Sequence, residues 1–145
     1  MTPIPSPAGY SGTPLAQKLG LKDGQRVLFL DLPDTLAELA LARDFASVER
    51  GAWSSLTACT GLDYVHGFAL SRTVLEEHAL TLRHAILPEG MVWVSWPKKA
   101  SRVPTDITED VIRDVLLPTG LVDVKVAAVD EIWSGLKLMI RRELR

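Results

Sequence analysis

The chain has 145 residues, of which 47% are hydrophobic and 23% are charged, and its formal net charge is −2. That length fits one domain with a core that buries roughly two-thirds of the unfolded chain's surface. The 16 basic and 18 acidic residues argue against a strongly basic binder of nucleic-acid backbones and against a polybasic membrane anchor. The single cysteine, Cys59, excludes an internal disulfide and a cysteine-based zinc finger.

The first ten residues contain three prolines and no lysine or arginine, so they resemble no targeting segment. They predict an extended arm over residues 1–10, tied by Tyr10 to a single domain over 11–145. Apolar runs are far shorter than the ~20 residues that span a bilayer. A reduced thiol without an export signal favours the cytoplasm.

The first half of the domain predicts one short helix, one buried strand and one longer helical segment. Thr13 and Pro14 are typical of a helix start, and Gly20 ends that helix. The apolar run at 26–30 predicts a strand buried on both faces, and a helical segment follows from about Thr35 to Asp44. Residues 45–61 favour a loop, with 47–50 as a candidate short strand.

The middle of the chain predicts two more buried strands, at 62–70 and 91–95, on either side of a helix that runs from a Ser71 cap to Ile86. Residues 87–90 predict a turn. The next helix is expected to start at Thr105 or Asp106, where Asp106 and Glu109 have the spacing of a capping box.

The C-terminal part changes to a period of two, which predicts two strands with unlike faces. The valines at 122, 124 and 126 form one side of the first strand, and 130–135 is short enough for a hairpin turn. Alternating strands and helices that end in an antiparallel pair predict an α/β three-layer sandwich with a mostly parallel sheet of five or six strands.

Four motifs carry a resemblance to known families. The turn at 87–91 (LPEGM) is similar to a turn in Rossmann-like S-adenosylmethionine-dependent methyltransferases. The segments 9–15 (GYSGTPL), 94–99 (VSWPKK) and 133–138 (WSGLKL) resemble a bacterial family known as domain of unknown function 3052. This resemblance covers nearly the whole chain and implies a reduced, methyltransferase-like Rossmann fold, without implying an activity.

One departure from those methyltransferases concerns the loop after the first strand. They have a glycine-rich loop there, whereas this chain has LDLPDT at 30–35. The side chains are expected to fill the space that a cofactor needs, and Pro33 lacks an N–H. Glu49 is a weak candidate for the acid that would hold a ribose. We therefore expect no cofactor; if S-adenosylmethionine is bound, Asp31 and Asp34 replace the glycine loop.

The stretch 95–106 (SWPKKASRVPTD) is the candidate ligand site, because it follows a buried strand and leads into a helix. Its cations, hydroxyls and indole are suited to an anion beside a flat ring. The candidate anion-binding residues are Trp96, Lys98, Lys99, Ser101, Thr105 and Trp133. The alternative is a solvated loop in which Trp96 packs over the sheet edge and Asp106 offsets the positive charge.

The remaining polar residues predict no catalytic or metal site. Asp130 is expected to pair with Lys98 or Lys99 as a structural contact. His78 and His84 fall on opposite sides of one helix, so no metal-binding pair forms. Cys59 has the pattern of a small buried residue and not of a nucleophile.

Three function hypotheses remain. The first is a non-enzymatic, degenerate methyltransferase-like domain that binds a small anionic ligand or a protein partner at the carboxyl edge of the sheet. The second is a minimal S-adenosylmethionine-dependent methyltransferase. The third is a structural homo-oligomer with tryptophans at its interface. No membrane or nucleic-acid partner is expected.

Overall fold

Six strands form one sheet in the computed structural model, which describes residues 14–145. In chain order they are β1 Arg26–Leu30, β2 Ser47–Gly51, β3 Leu62–Phe68, β4 Ile86–Pro97, β5 Leu121–Ala128 and β6 Trp133–Ile140. The sheet order is β2-β1-β3-β4-β6-β5, parallel from β2 to β4 and antiparallel at β6 and β5. The predicted α/β Rossmann-like architecture is confirmed. The predicted arm at 1–10, Tyr10 and the Thr13 cap lie outside the described residues.

Helices cover both faces of this sheet. The α-helices are α1 Leu15–Lys18, α2 Arg72–Ala85 and α3 Glu109–Leu116, and the main 3-10 helices are Asp34–Leu41 and Trp53–Ala58. Helices α2 and α3 and the segment 53–58 pack on one face, while α1 and the segment 34–41 pack on the other.

Strand β1 shows why the sequence folds in this way. Leu28 and Leu30 point into the core beneath α2 and α3, and Val27 and Phe29 point into the core beneath α1. All four side chains are almost completely buried. A strand covered on both faces requires a continuous apolar run, which is what the sequence provides.

Two predicted elements differ in detail. The helical segment expected at 35–44 is a 3-10 helix over Asp34–Leu41. The turn expected at 87–90 lies inside β4, where the pairing moves from Leu62 opposite Ile86 to Tyr64 opposite Met91. Residues 87–90 therefore form an outward irregularity within a longer strand. The short strand considered within 45–61 is present as β2.

The predicted capping box at Asp106 is wrong. Helix α3 begins at Glu109, and the Thr108 side chain accepts a hydrogen bond from the Val111 N–H at 3.2 Å. Asp106 accepts instead from the N–H of Arg72 at 2.7 Å, at the start of α2. A carboxylate near a helix start satisfies whichever free N–H its loop brings close.

The valines of β5 do not form a buried side. Val122, Val124 and Val126 are 37%, 48% and 45% exposed, because β5 is an edge strand. The pairing with β6 shifts between Asp123 and Lys125, so the alternation reverses at Val124. Such a bulge also hinders pairing with another chain's edge strand.

His66 of β3 is a fully buried polar group within the core beneath α1. Its Nε2 lies 2.7 Å from Ser95 Oγ, and its ring stacks on Phe68 with the centroids 4.3 Å apart. Burial lowers the pKa of His66 to about 3. The imidazole is therefore neutral in the folded protein near pH 7.

His66 makes stability depend on pH. Its pKa of about 3 in the fold lies below the usual value of 6.5, so between these values the unfolded chain binds more protons. We expect the free energy of unfolding to fall as pH drops below 6.5, by about 2–3 kcal/mol from this group at about pH 4.5.

Urea unfolding of the wild type and His66→Gln near pH 6.5 and at about pH 4.5 measures this loss of unfolding free energy, which the variant should lack. His84→Gln, at an exposed position, is the control and should behave as the wild type. An NMR titration of the wild type gives a second readout. A His66 ring that titrates near pH 6.5 would contradict the assignment.

Candidate functional site

A cavity of about 550 Å³ opens at the carboxyl ends of β1 and β3. The chain leaves β1 to form β2 on one side and returns to form β3 on the other, so the strand order reverses here. Open α/β sheets bind ligands at such reversals. The described residues that line the cavity are Asp31, Pro33, Thr35, Trp53, Phe68, Ala69, Leu70, Ser71, Val74, Val103, Ile132 and Trp133.

The loop after β1 leaves this space open. Asp31 has a left-handed backbone with φ 53°, and the Leu32 side chain is buried in the core beneath α1. Arg50 braces the loop, donating to the Leu32 carbonyl at 3.2 Å and lying 3.8 Å from the Asp34 carboxylate. The expectation that side chains fill the space above 30–35 is therefore wrong.

Asp31 sets the charge of the cavity. It is the only ionisable side chain among the described lining residues. Burial raises the pKa of the Asp31 carboxyl above its ordinary value. A partly desolvated carboxylate that forms no ion pair within residues 14–145 favours a positively charged or hydrogen-bond-donating group.

Aromatic rings form the walls. The Trp53 Nε1–H donates to the Phe68 carbonyl at 2.9 Å, and its ring lies against the backbone of Gly67, where any Cβ would clash with it. Phe68 and Trp133 meet edge to face, with centroids 5.2 Å apart. Flat apolar walls of this kind suit a planar ring.

Sequence reasoning missed Trp53 and Phe68, although one signal pointed to them. Gly67 interrupts an otherwise bulky buried strand. A glycine inside a strand indicates that another group approaches the backbone closely. The sequence does not show that this group is Trp53, because Trp53 follows a different strand.

Hydrogen bonds between loops hold the cavity rim in place. Thr105 Oγ1 donates to the Leu70 carbonyl at 2.7 Å, and the Lys98 N–H donates to the Ile132 carbonyl at 2.7 Å. Together with the contact from Asp106 to Arg72, these bonds join the loops after β3 and β4 to the hairpin before β6. The rim is therefore a bonded unit rather than independent loops.

The structure brings one of the predicted anion-binding residues, Trp133, to the cavity wall. Trp96 is 7% exposed and packs in the core beneath α2 and α3. The Ser101 hydroxyl donates to the Lys98 carbonyl at 2.7 Å, and Thr105 is occupied as described above. Lys98 and Lys99 lie in the adjoining loop, outside the cavity lining.

Of the two residues proposed to replace the glycine loop, one lines the cavity and the other does not. Asp31 lines the cavity, whereas the Asp34 side chain is fully exposed beside Arg50. Glu49 is exposed on the edge strand β2 and is absent from the described lining. The pKa of the Cys59 thiol is raised by burial and then by the charge of Glu49. Glu49 therefore lies close enough to Cys59 to influence it.

Two predicted contacts are corrected by the geometry. Asp130 Oδ1 accepts from the N–H groups of Ile132 and Trp133, and no ion pair joins it to a lysine within residues 14–145. Trp53, Trp93 and Trp96 are buried inside the domain. These three offer little surface to a partner, which leaves the half-buried Trp133 as the tryptophan available to the interface of the homo-oligomer hypothesis.

Metal ligands do not cluster in the part of the chain that the structure describes: no three His, Cys, Asp or Glu side chains come together there. His78 Nδ1 bonds the Val74 carbonyl at 2.9 Å, and His84 is exposed on the same helix. Over residues 14–145, no helix has both the length and the apolar character needed to cross a membrane.

Comparison with solved structures shows the fold. An S-adenosylmethionine-dependent methyltransferase from Aquifex aeolicus matches with TM-score 0.65 and 13% identity, over 86% of each chain. A second, from Clostridium acetobutylicum, matches with TM-score 0.62 and 9% identity, also over 86% of each chain. A TehB-like methyltransferase from Corynebacterium glutamicum matches with TM-score 0.55 and 12% identity, over 92% of this chain and 91% of that one.

The chain has a methyltransferase-like Rossmann fold. At these identities the likeness concerns architecture alone. No protein-family profile matches the chain, and no curated protein sequence is similar to it. The resemblance to domain of unknown function 3052 therefore stays a prediction.

Gly67→Ala tests the wall of the cavity. The added methyl group overlaps the Trp53 ring, so we expect a loss of roughly 1–3 kcal/mol in the free energy of unfolding. Trp53→Leu alone should also destabilise, because it empties buried space. The double variant should lose less unfolding free energy than the two single variants together, since the smaller side chain makes room for the methyl group.

Urea unfolding of the four proteins measures that coupling. Gly67→Ala with Val74→Ala, which removes a different lining residue, is the control pair and should be additive. Additive losses for Gly67→Ala and Trp53→Leu would show that the ring is not held against the glycine.

Proposed function

We propose that the domain binds a small ligand through a purine nucleoside moiety in this cavity and catalyses no reaction on it. The observation that carries the proposal is a cavity of about 550 Å³ at the strand reversal with aromatic walls. That volume lies within the range of roughly 300–1,000 Å³ typical of small-molecule sites.

The polarity of the lining supports the same ligand class. The half-buried Trp133 supplies ring surface, while Thr35 and Ser71 supply hydroxyls and Asp31 a carboxylate. Nucleosides combine a flat ring with amino and hydroxyl groups that such side chains can bond. The described lining places no histidine or lysine beside the hydroxyls of Thr35 and Ser71 to activate them, which supports binding without nucleophilic catalysis.

S-Adenosylmethionine fits this lining in part. Trp133 suits its adenine ring, and Asp31 suits its sulfonium or ammonium charge. Its carboxylate meets no positively charged side chain among the described lining residues, and Pro33 lacks the N–H that a glycine loop would offer. When bound, this cofactor supplies an electrophilic methyl group.

A minimal methyltransferase is therefore the second candidate, favoured by Asp31. Because burial raises its pKa, the Asp31 carboxylate is a better proton acceptor than an exposed aspartate. This role requires both binding of S-adenosylmethionine and turnover of it. The non-catalytic proposal requires neither.

Calorimetric titration with adenosine and guanosine tests the leading proposal. We expect heat of binding with at least one nucleoside at millimolar concentration, and a loss of about ten-fold or more in affinity for Trp133→Ala, because the variant removes a stacking surface. Trp96→Phe alters a buried tryptophan outside the cavity and should leave the affinity unchanged. Absence of heat with both nucleosides would refute the proposal.

Asp31→Asn separates the two candidates. If the cofactor's sulfonium lies near Asp31, the variant should weaken S-adenosylmethionine several-fold but leave S-adenosylhomocysteine, which lacks that charge, unchanged. Asp34→Asn, at the exposed neighbouring acid, is the matched control. Binding of neither compound to the wild type would exclude the methyltransferase candidate.

A further inference from the structure

We propose that the rim beside this cavity binds a phosphate, so that the ligand is a purine nucleotide rather than a nucleoside. The inference rests on the proposed function and adds the site for the anionic end. It concerns Lys98, Lys99 and Arg102, which we call the basic rim.

The basic rim is joined to the cavity by short connections. The Lys98 N–H is bonded to the carbonyl of Ile132, a lining residue. Arg102 immediately precedes Val103, another lining residue, whose N–H donates to Ser101 Oγ at 3.2 Å. The three cations therefore lie on a segment that is fixed to the cavity wall at both ends.

The charges of the basic rim are not neutralised within the domain. Over residues 14–145, no carboxylate lies within ion-pair distance of Lys98, Lys99 or Arg102, a state that they share with several other exposed cations of the domain. Two nearby carboxylates are already bonded to backbone N–H groups, Asp106 to Arg72 and Asp130 to the hairpin. Glu131 is exposed beside Ile132 and is the acid that offsets part of this field.

Backbone strain marks the same place. In the described part of the chain, two non-glycine residues have left-handed φ values, Asp31 at 53° and Arg102 at 62°. Asp31 lines the cavity, and Arg102 directly precedes Val103, which also lines it. Arg102 takes this conformation where the short 3-10 helix Lys99–Ser101 ends, and it turns the chain toward Val103.

The combined charge pattern selects the ligand class. Asp31 inside the cavity disfavours an anion there, and the basic rim outside favours one. A nucleotide carries its uncharged base at one end and its phosphate at the other. It therefore matches an apolar cavity with cations at the rim better than a bare phosphate or a nucleoside does.

Calorimetry with adenosine and guanosine, their 5′-monophosphates and inorganic phosphate tests this inference. We expect the wild type to bind one monophosphate at least ten-fold more tightly than its nucleoside. The triple variant Lys98→Gln, Lys99→Gln, Arg102→Asn should lose that difference and keep its affinity for the nucleoside. Asparagine tolerates the left-handed backbone at Arg102, so the loop should persist.

The matched control is Lys22→Gln, Arg141→Gln, Arg142→Gln, which removes equal charge from exposed positions at the opposite edge of the sheet. It should bind as the wild type. Equal affinity for nucleoside and monophosphate, or equal losses of monophosphate affinity in both triple variants, would overturn the proposal that the basic rim binds a phosphate. The proposed nucleoside site would be unaffected. Absence of binding by nucleosides and monophosphates alike would overturn both proposals.

Discussion

The close contact between the Trp53 ring and the bare backbone of Gly67 determines the shape of the carboxyl edge. It anchors the segment after β2 to β3, two strands away in the sheet, through ring packing and a bond of 2.9 Å to the Phe68 carbonyl. Trp53 is 4% exposed, so this contact contributes buried area as well as position. The indole has a single N–H, and its bond to Phe68 fixes the start of the segment 53–58 at the strand reversal.

Strand β3 transmits this constraint to the other layer. Successive side chains of a strand point to opposite faces, so Gly67 meets Trp53 on one side while His66 and Phe68 point to the other. Phe68 then stacks on the neutral His66 ring and meets Trp133 at the cavity wall. Since burial keeps His66 uncharged, this wall keeps its apolar character at neutral pH.

The strands were predictable because burial on one or two faces imposes a pattern that a single segment carries by itself. The run at 26–30 and the alternation at 136–141 predict β1 and β6 in this way, although β6 begins at Trp133, within the segment 130–135 that was assigned to the hairpin turn. The start of α3 was not predictable, because Asp106 and Thr108 are both good caps and the choice depends on a distant partner, the N–H of Arg72. The bulge at Val124 also depends on pairing with β6 and not on local sequence.

The cavity was predicted least well, and the reason is physical. The prediction weighed one loop, 30–35, against the glycine loop of methyltransferases, and its bulky residues indicated a filled space. In the structure Leu32 turns into the core and the walls come from four other segments. Whether a space is open depends on where every surrounding side chain packs, which a single segment does not determine.

The arrangement of charge follows from the same packing. Asp31 and the cations of the loop after β4 have opposite charges and share one edge of the sheet, yet no ion pair joins them within residues 14–145. Apolar side chains, among them Val103 and Ile132, line the space between the carboxylate and the solvent-facing rim. A carboxylate and cations kept apart in this way remain available to a third molecule, whereas a paired set would satisfy itself. The apolar lining therefore provides contact area and also preserves the separation of charge on which recognition at this edge would depend.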